Sequence, residues 1–148
     1  MMKVLFVCHG NICRSPMAEF ILKKLVKEKG LEDNFEISSA ATSREEIGND
    51  IYPPAKKCLT SHNIPFIRHF SRQINKADLE YYDYIIAMEE YNIINLQRLL
   101  GDSNKYSLLL DYTSISGDIA DPWYSGDFEI AYNEIMLGCI GFLDKSNF

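Results

Sequence analysis

The stretch that decides the fold is KVLFVCHGNICRSPMAEFILKKLV, residues 3–26. It begins with a short apolar run, residues 3–7, which is typical of a strand buried on both faces of a parallel sheet. A polar loop follows, and Ser15-Pro16 then predicts a helix start, with serine as N-cap and proline at the first helical position. Apolar residues recur at helical spacing up to Val26, and Lys29-Gly30 closes the predicted helix. The stretch therefore predicts a strand–loop–helix unit.

The rest of the chain continues this alternation of short apolar runs and amphipathic segments. Further strands are predicted at 35–39, 64–67 and 84–88, helices at 54–61, 90–100 and 127–145, and a long turn-rich loop at 111–126. Alternating strands and helices favour an α/β fold in which a parallel sheet carries helices on both faces. No internal repeat, linker or domain boundary is visible, so residues 1–148 are interpreted as one domain.

Composition and charge exclude several classes of protein. The chain is 47% hydrophobic and 24% charged, which is typical of a globular domain, and its formal net charge is −6. An acidic chain without Lys/Arg stripes argues against nucleic acid as a partner. No apolar run is long enough for a signal-peptide core or a membrane span, so we expect a cytoplasmic protein that does not bind membranes.

The four cysteines, Cys8, Cys13, Cys58 and Cys139, lack paired metal-ligand spacing. In a reducing compartment their even number is not evidence of disulfides.

The chemistry concentrates in residues 8–14, named here the first loop. A loop between the first strand and the first helix of such a sheet is where phosphate groups bind, because backbone N–H groups and the helix dipole converge there. Cys8 stands at the strand end, where these groups favour a nucleophilic thiolate. Arg14 follows six residues later and can hold two phosphoryl oxygens with its planar fork. The Ser15 hydroxyl is placed to donate a hydrogen bond to the thiolate when it leaves.

Such a reaction also needs a general acid to protonate the leaving group. Asp121 is the most informative candidate, because it lies in the long loop beside Pro122 and two aromatic residues. Asp111 and Asp118 are alternatives in the same loop. Turns are rich in aspartate for reasons unrelated to catalysis, so residue chemistry leaves the choice open.

Two motifs resemble one known family. Residues 7–19, VCHGNICRSPMAE, resemble the signature of the low-molecular-weight protein tyrosine phosphatases, and residues 121–124, DPWY, match that family's Asp-Pro-aromatic-Tyr acid loop. Residues 38–40 resemble the segment after its second strand, and residues 83–88 resemble its fourth strand. The resemblance implies a four-stranded parallel sheet, no metal or other cofactor, and a two-step reaction through a cysteinyl-phosphate. It implies Asp121 as the acid, a phosphotyrosine-bearing protein or peptide as substrate, and inorganic phosphate as product.

The resemblance also implies roles for residues around the catalytic three, Cys8, Arg14 and Asp121. The implied substrate-binding residues are His9, Gly10, Asn11, Ile12, Cys13, Ser15, Trp123 and Tyr124. Asn11 is expected in a left-handed turn, hydrogen-bonded by Ser39 and His69. Cys13 matches a second cysteine that can form a disulfide with the nucleophile on oxidation. Glu45 stands at the position where members of the family often have an aromatic residue that forms one wall of the substrate pocket.

Three other functions found on similar folds fit this sequence less well. Protein-arginine phosphatases typically have threonine at the position of Ile12, so Ile12 favours phosphotyrosine. Arsenate reductases of this fold carry further reactive cysteines in the second half, whereas residues 70–138 contain none. A flavodoxin-like FMN carrier has a neutral Ser/Thr/Gly-rich loop without a nucleophile.

Overall fold

The structure is a computed structural model that describes residues 1–147, and its centre is a parallel sheet. Strand β1 (Met2–Cys8) lies between β2 (Phe35–Ala41) and β3 (Tyr84–Ala87), and β4 (Tyr106–Leu108) pairs with β3. Within this part of the chain the sheet has four strands in the order β2-β1-β3-β4, all parallel. The predicted four-stranded parallel sheet is confirmed. The carboxyl ends of β1 and β3 meet at one edge, which brings the residues after these strands together.

Helices cover both faces of the sheet, as predicted. The helices are α1 (Arg14–Glu28), α2 (Pro53–Ser61), α3 (Lys76–Tyr81), α4 (Glu90–Leu100), α5 (Pro122–Ser125) and α6 (Phe128–Lys145). Alternate residues of β1 point to opposite faces, so Val4 and Phe6 join the core beneath α1 and α6, while Leu5 and Val7 pack with Leu96 of α4. None of the helices among residues 1–147 is long and apolar enough to cross a membrane.

The predicted start of the first helix is wrong by two residues. Helix α1 begins at Arg14, and its N-cap is Cys13, which makes no side-chain capping bond. Ser15 therefore lies inside the first turn, where its hydroxyl turns to the Cys8 sulfur instead of capping the helix. The predicted C-terminal end is correct, since Lys29 is the C-cap and Gly30 follows at a φ of 70°.

The predicted strand at 64–67 is also wrong. Ile64 is buried, but Pro65 lacks a backbone donor and Ile67 is 74% exposed, so this segment runs over the surface as irregular chain. The strand predicted at 84–88 is the third, and the fourth is the three-residue β4, which was not predicted. The loop predicted at 111–126 contains the short helix α5 and the end of a 3₁₀ turn at 109–112.

Candidate active site

A cavity of about 120 Å³ opens at the carboxyl end of β1. All seven residues of the first loop line it, together with residues of two other segments. The lining residues are Cys8, His9, Gly10, Asn11, Ile12, Cys13, Arg14, Glu45, Glu46, Asp121, Trp123 and Tyr124. The structure therefore brings the predicted nucleophile, arginine and acid to one cavity, although Asp121 lies more than a hundred residues from Cys8.

Cys8 ends β1 and is 3% exposed, and its sulfur lies close to two hydrogen-bonding groups. The backbone N–H of Asn11 donates to the Cys8 Sγ at 3.3 Å, and the Ser15 Oγ lies 3.0 Å from the same atom. The first turn of α1 begins six residues after Cys8, so its N–H groups and dipole face the loop. Each of these groups stabilises negative charge on the sulfur.

Asn11 determines which way the Ser15 hydroxyl points. The backbone N–H of Arg72 donates to the Asn11 Oδ1 at 3.4 Å, so the amide oxygen faces Arg72 and the Nδ2 faces Ser15. The Nδ2 donates to the Ser15 Oγ at 2.7 Å, which leaves the hydroxyl hydrogen of Ser15 for the Cys8 Sγ at 3.0 Å. When the Cys8 sulfur is a thiolate it can only accept, so the Ser15 hydroxyl is then the donor.

Asn11 has the expected left-handed backbone, with a φ of 59°, and it is fully buried. The His69 Nε2 lies 2.8 Å from the Asn11 carbonyl oxygen and 3.1 Å from its Oδ1. Both of these oxygens are acceptors, so the Nε2 carries the proton. The predicted contact of His69 with Asn11 is present.

The predicted contact of Ser39 with Asn11 is wrong. Ser39 is paired in register with Phe6 and faces α1, where its hydroxyl donates to the Glu19 Oε1 at 2.6 Å. Side chains alternate along β2, and Ser39 lies on the face that packs against α1. Ser71 instead supports the loop from the segment that follows His69, since its Oγ donates to the Gly10 carbonyl at 2.8 Å.

Arg14 is 1% exposed and fixed from three sides. Its Nη1 donates to the Ile119 carbonyl at 2.8 Å, and its Nη2 lies 3.1 Å from the Glu89 Oε1 and 3.3 Å from the Asp121 Oδ2. Burial works against its charge, but the negative groups of Cys8, Asp121 and Glu89 outweigh burial and raise the pKa of the guanidinium. The buried Nε has no hydrogen-bond partner within residues 1–147, so it is a donor available to an oxyanion in the cavity.

The Asp121 carboxylate faces both the cavity and Arg14. Its Oδ1 accepts the Trp123 N–H at 3.0 Å as the N-cap of α5, and its Oδ2 is the oxygen near Arg14. The side chain is 21% exposed, so it can reach a ligand above the first loop.

The two alternative aspartates have structural roles outside the cavity lining. The Asp118 Oδ1 accepts the Glu90 N–H at 2.9 Å at the start of α4, and the Asp111 Oδ2 accepts the Leu108 N–H at 2.9 Å. The geometry favours Asp121 over both as a proton donor to a cavity ligand.

The rim of the cavity combines aromatic and acidic side chains. Trp123 packs on Tyr52 with ring centroids 4.5 Å apart, whereas Tyr124 is 85% exposed. The Glu45 Oε2 lies 2.9 Å from the His9 Nε2. The acidic group at the expected position of an aromatic wall is therefore paired with a loop side chain.

Burial and the neighbouring Cys8 raise the pKa of the Cys13 thiol far above its ordinary value, so Cys13 stays protonated beside the nucleophile. All four cysteines are free and buried.

Glu89 is the main site residue that the sequence analysis missed. It stands two residues after the end of β3, at the same sheet edge as Cys8, and it holds Arg14. Polar residues after adjacent parallel strands converge, so its position one residue beyond the predicted strand 84–88 was a usable signal.

Comparison with known proteins places this geometry in one family. Residues 3–147 match the family described as "Low molecular weight phosphotyrosine protein phosphatase". The chain is 42% identical to the low molecular weight protein-tyrosine-phosphatase YfkJ of Bacillus subtilis over 94% of this chain and 92% of that protein. The crystal structure of YfkJ superposes with a TM-score of 0.96, covering 99% of this chain and 95% of that one.

Two further relatives broaden the comparison. The human low molecular weight phosphotyrosine protein phosphatase is 39% identical, over 97% of this chain and 95% of that protein. The crystal structure of DARP, a Drosophila arginine phosphatase, is 33% identical with a TM-score of 0.89, covering 99% of both chains.

Proposed function

The chain belongs to the low molecular weight phosphotyrosine protein phosphatase family and is a protein-tyrosine phosphatase, and we propose that Cys8, Arg14 and Asp121 perform its reaction within a single catalytic domain. The observation that carries these assignments is the Cys8 sulfur, hydrogen-bonded by Ser15 and by the Asn11 N–H, in a cavity that Arg14 and Asp121 also line.

In the first step the Cys8 thiolate attacks the phosphorus in line with the tyrosyl oxygen. The P–S bond forms as the P–O bond breaks, and the Asp121 carboxyl gives its proton to the departing oxygen. Arg14 and the first-loop N–H groups stabilise the equatorial oxygens.

In the second step a water molecule attacks the cysteinyl-phosphate. Asp121, now a carboxylate, takes a proton from the water, the P–S bond breaks, and inorganic phosphate is released. The Ser15 hydroxyl, already directed at the sulfur, stabilises the leaving thiolate.

Single substitutions at the two reacting side chains test this mechanism. Cys8→Ser should abolish turnover of a phosphotyrosine peptide while retaining phosphate binding, because an alcohol is a weak nucleophile at neutral pH. Asp121→Asn should lower kcat/KM, which reports formation of the cysteinyl-phosphate, by ~10²–10⁴ for that peptide, and it should hardly change kcat/KM for an aryl phosphate with an activated leaving group. Asp118→Asn is the matched control, since it changes another loop aspartate outside the cavity lining. Equal losses for both substrates in Asp121→Asn would assign the acid elsewhere.

We further propose that phosphotyrosine-bearing proteins or peptides in the cytoplasm are preferred over phosphoarginine. The support is the apolar wall of the cavity: Ile12 is largely buried, and Trp123 is backed by Tyr52. A phenyl ring gains ~0.5–1.5 kcal/mol from aromatic geometry beyond its buried area. Ile12 offers a guanidinium no hydrogen bond, and the nearby Glu45 carboxylate is paired with His9.

The test is kcat/KM for matched phosphotyrosine and phosphoarginine peptides. We expect the phosphotyrosine peptide to be hydrolysed more efficiently, and we expect Ile12→Thr to reduce the difference in kcat/KM between the two peptides. Faster hydrolysis of phosphoarginine by the unmodified protein would overturn this preference and leave the mechanism intact.

A further inference from the structure

A second group of chemically reactive side chains lies outside the catalytic cavity, where the end of α2 meets the start of α6. Cys58 lies in the last turn of α2 and His62 is the C-cap of that helix, so the two residues, four apart, lie on the same side of its end. Glu129 stands in the first turn of α6 and reaches both of them. One sulfur, one imidazole nitrogen and one carboxylate oxygen all lie within 4.8 Å of one another.

From these contacts we propose that Cys58, His62 and Glu129 form a zinc-binding site with three protein ligands and a fourth position open to water. The Cys58 Sγ lies 3.5 Å from the Glu129 Oε1, and the His62 Nε2 lies 3.1 Å from the same oxygen and 2.8 Å from the Oε2. Tetrahedral zinc with bonds of about 2.3 Å to sulfur, 2.0 Å to nitrogen and 2.1 Å to oxygen requires ligand separations of about 3.6 and 3.4 Å. The sulfur–oxygen separation is already near this value, and the nitrogen–oxygen separation is somewhat shorter.

The surroundings hold the ligands in this arrangement. The His62 ring stacks on Tyr132 with centroids 3.7 Å apart and planes at 9°, which fixes the direction of its Nε2. Cys58 is buried and its sulfur lies 3.6 Å from the Phe128 carbonyl, whereas the Glu129 side chain is 59% exposed. A metal ion can therefore enter from the solvent side and meet a sulfur on the protein side.

The donor set selects the metal. A thiolate together with imidazole suits Zn²⁺, whereas Mg²⁺ and Ca²⁺ prefer oxygen ligands only. Burial and the Glu129 carboxylate raise the pKa of the Cys58 thiol to about 12, so zinc binding must displace the thiol proton to solvent. No electron transfer is involved.

The site would join α2 to the segment that carries the proposed acid. Phe128, next to Glu129, packs against Tyr52 with ring centroids 6.1 Å apart, and Tyr52 packs against Trp123 of the cavity wall. The metal takes no part in the phosphatase reaction, and its expected effect is on stability.

The experiment measures Zn²⁺ binding by equilibrium dialysis and thermal unfolding, on the full chain with Cys8→Ser to remove the competing thiolate. We expect one zinc per chain and a Tm rise of roughly 5–10 °C at a hundredfold excess of free zinc over Kd. His62→Ala and Glu129→Gln should each weaken binding by more than roughly 100-fold, beyond the 10–100-fold that outer-shell partners contribute. Glu134→Gln, on the same helix, is the matched control and should bind zinc as tightly as the parent, which is the chain carrying Cys8→Ser alone.

Co²⁺ provides a second readout that reports sulfur directly. A thiolate-to-cobalt charge-transfer band should appear in the parent and disappear in Cys58→Ser, and circular dichroism without metal checks that each variant folds. Absence of stoichiometric zinc binding, or binding that survives both His62→Ala and Glu129→Gln, would overturn the proposal. Zinc bound by the natural chain but lost on Cys8→Ser alone would assign the metal to the first loop and equally overturn it. None of these outcomes bears on the assignments of Arg14 and Asp121.

Discussion

Replacing Ser15 with alanine removes one hydroxyl that has two partners. Its Oγ lies 3.0 Å from the Cys8 Sγ and accepts the Asn11 Nδ2 at 2.7 Å. Ser15 is fully buried, so water cannot replace the lost hydroxyl without rearrangement. The substitution should therefore affect both the reaction and the stability of the fold.

The two effects can be estimated from the same contacts. A hydrogen bond to a charged group contributes ~1.5–3 kcal/mol, so breakdown of the cysteinyl-phosphate should slow by roughly 10–150-fold when the departing thiolate loses its donor. The Asn11 Nδ2 would be left buried without an acceptor, at about 1–3 kcal/mol in the free energy of unfolding. Ser71→Ala is the matched control, because its Oγ donates to the Gly10 carbonyl at 2.8 Å on the same loop without contacting the sulfur.

Stopped-flow hydrolysis of an aryl phosphate separates the two steps, and urea denaturation measures stability. Ser15→Ala should show a burst of phenol followed by a slower steady rate, whereas Ser71→Ala should lose stability with little change in either phase. If Ser15→Ala keeps a steady rate within about twofold of the natural protein while losing the predicted stability, the hydroxyl serves only Asn11. That result would refute the argument for donation to the leaving thiolate.

Three other predictions follow from the same structure. Asn11→Ala should be less stable in urea denaturation than Asn11→Gly by ~1–2 kcal/mol, because a φ of 59° is strained for alanine but not for glycine. Equal losses of the free energy of unfolding in the two variants would contradict this. Peroxide should inactivate the enzyme in a way that a thiol reductant reverses, and Cys13→Ser should make the loss much less reversible; mass spectrometry without a Cys8–Cys13 linkage would argue against it. Burial opposes the charge of Asp50, but hydrogen bonds from Lys56 and from backbone N–H groups outweigh it and hold its pKa well below the ordinary value. The stabilisation of the fold by ionised Asp50 is therefore present above the unfolded-state pKa and is lost as pH falls towards the lower folded-state pKa. The difference in the free energy of unfolding between the natural chain and Asp50→Asn should therefore shrink on going from neutral to strongly acidic pH.

Local patterns predicted the long elements well and the short ones badly. The helices at 90–100 and 127–145 were predicted nearly to the residue, because Gly101 stops the first and Asp127 caps the second through its own side chain. The start of α1 was misplaced because the Ser15 hydroxyl bonds the Cys8 sulfur, a contact that a capping pattern cannot reveal. β4 is only three residues long, and it is a strand because β3 is available to pair with it.

The sequence by itself determined the centre of the chemistry. Cys8, Arg14 and Ser15 lie within eight consecutive residues that run from the end of a buried strand into the start of a helix, so their proximity follows from local geometry. The left-handed Asn11 belongs to the same loop. Tertiary structure alone decided what surrounds that loop: Glu89 holds Arg14 across 75 residues, and His69 reaches Asn11 across 58. Such contacts depend on the order of the strands in the sheet and on the face to which each side chain points, which is why Ser39 was assigned to Asn11 but bonds Glu19 beneath α1.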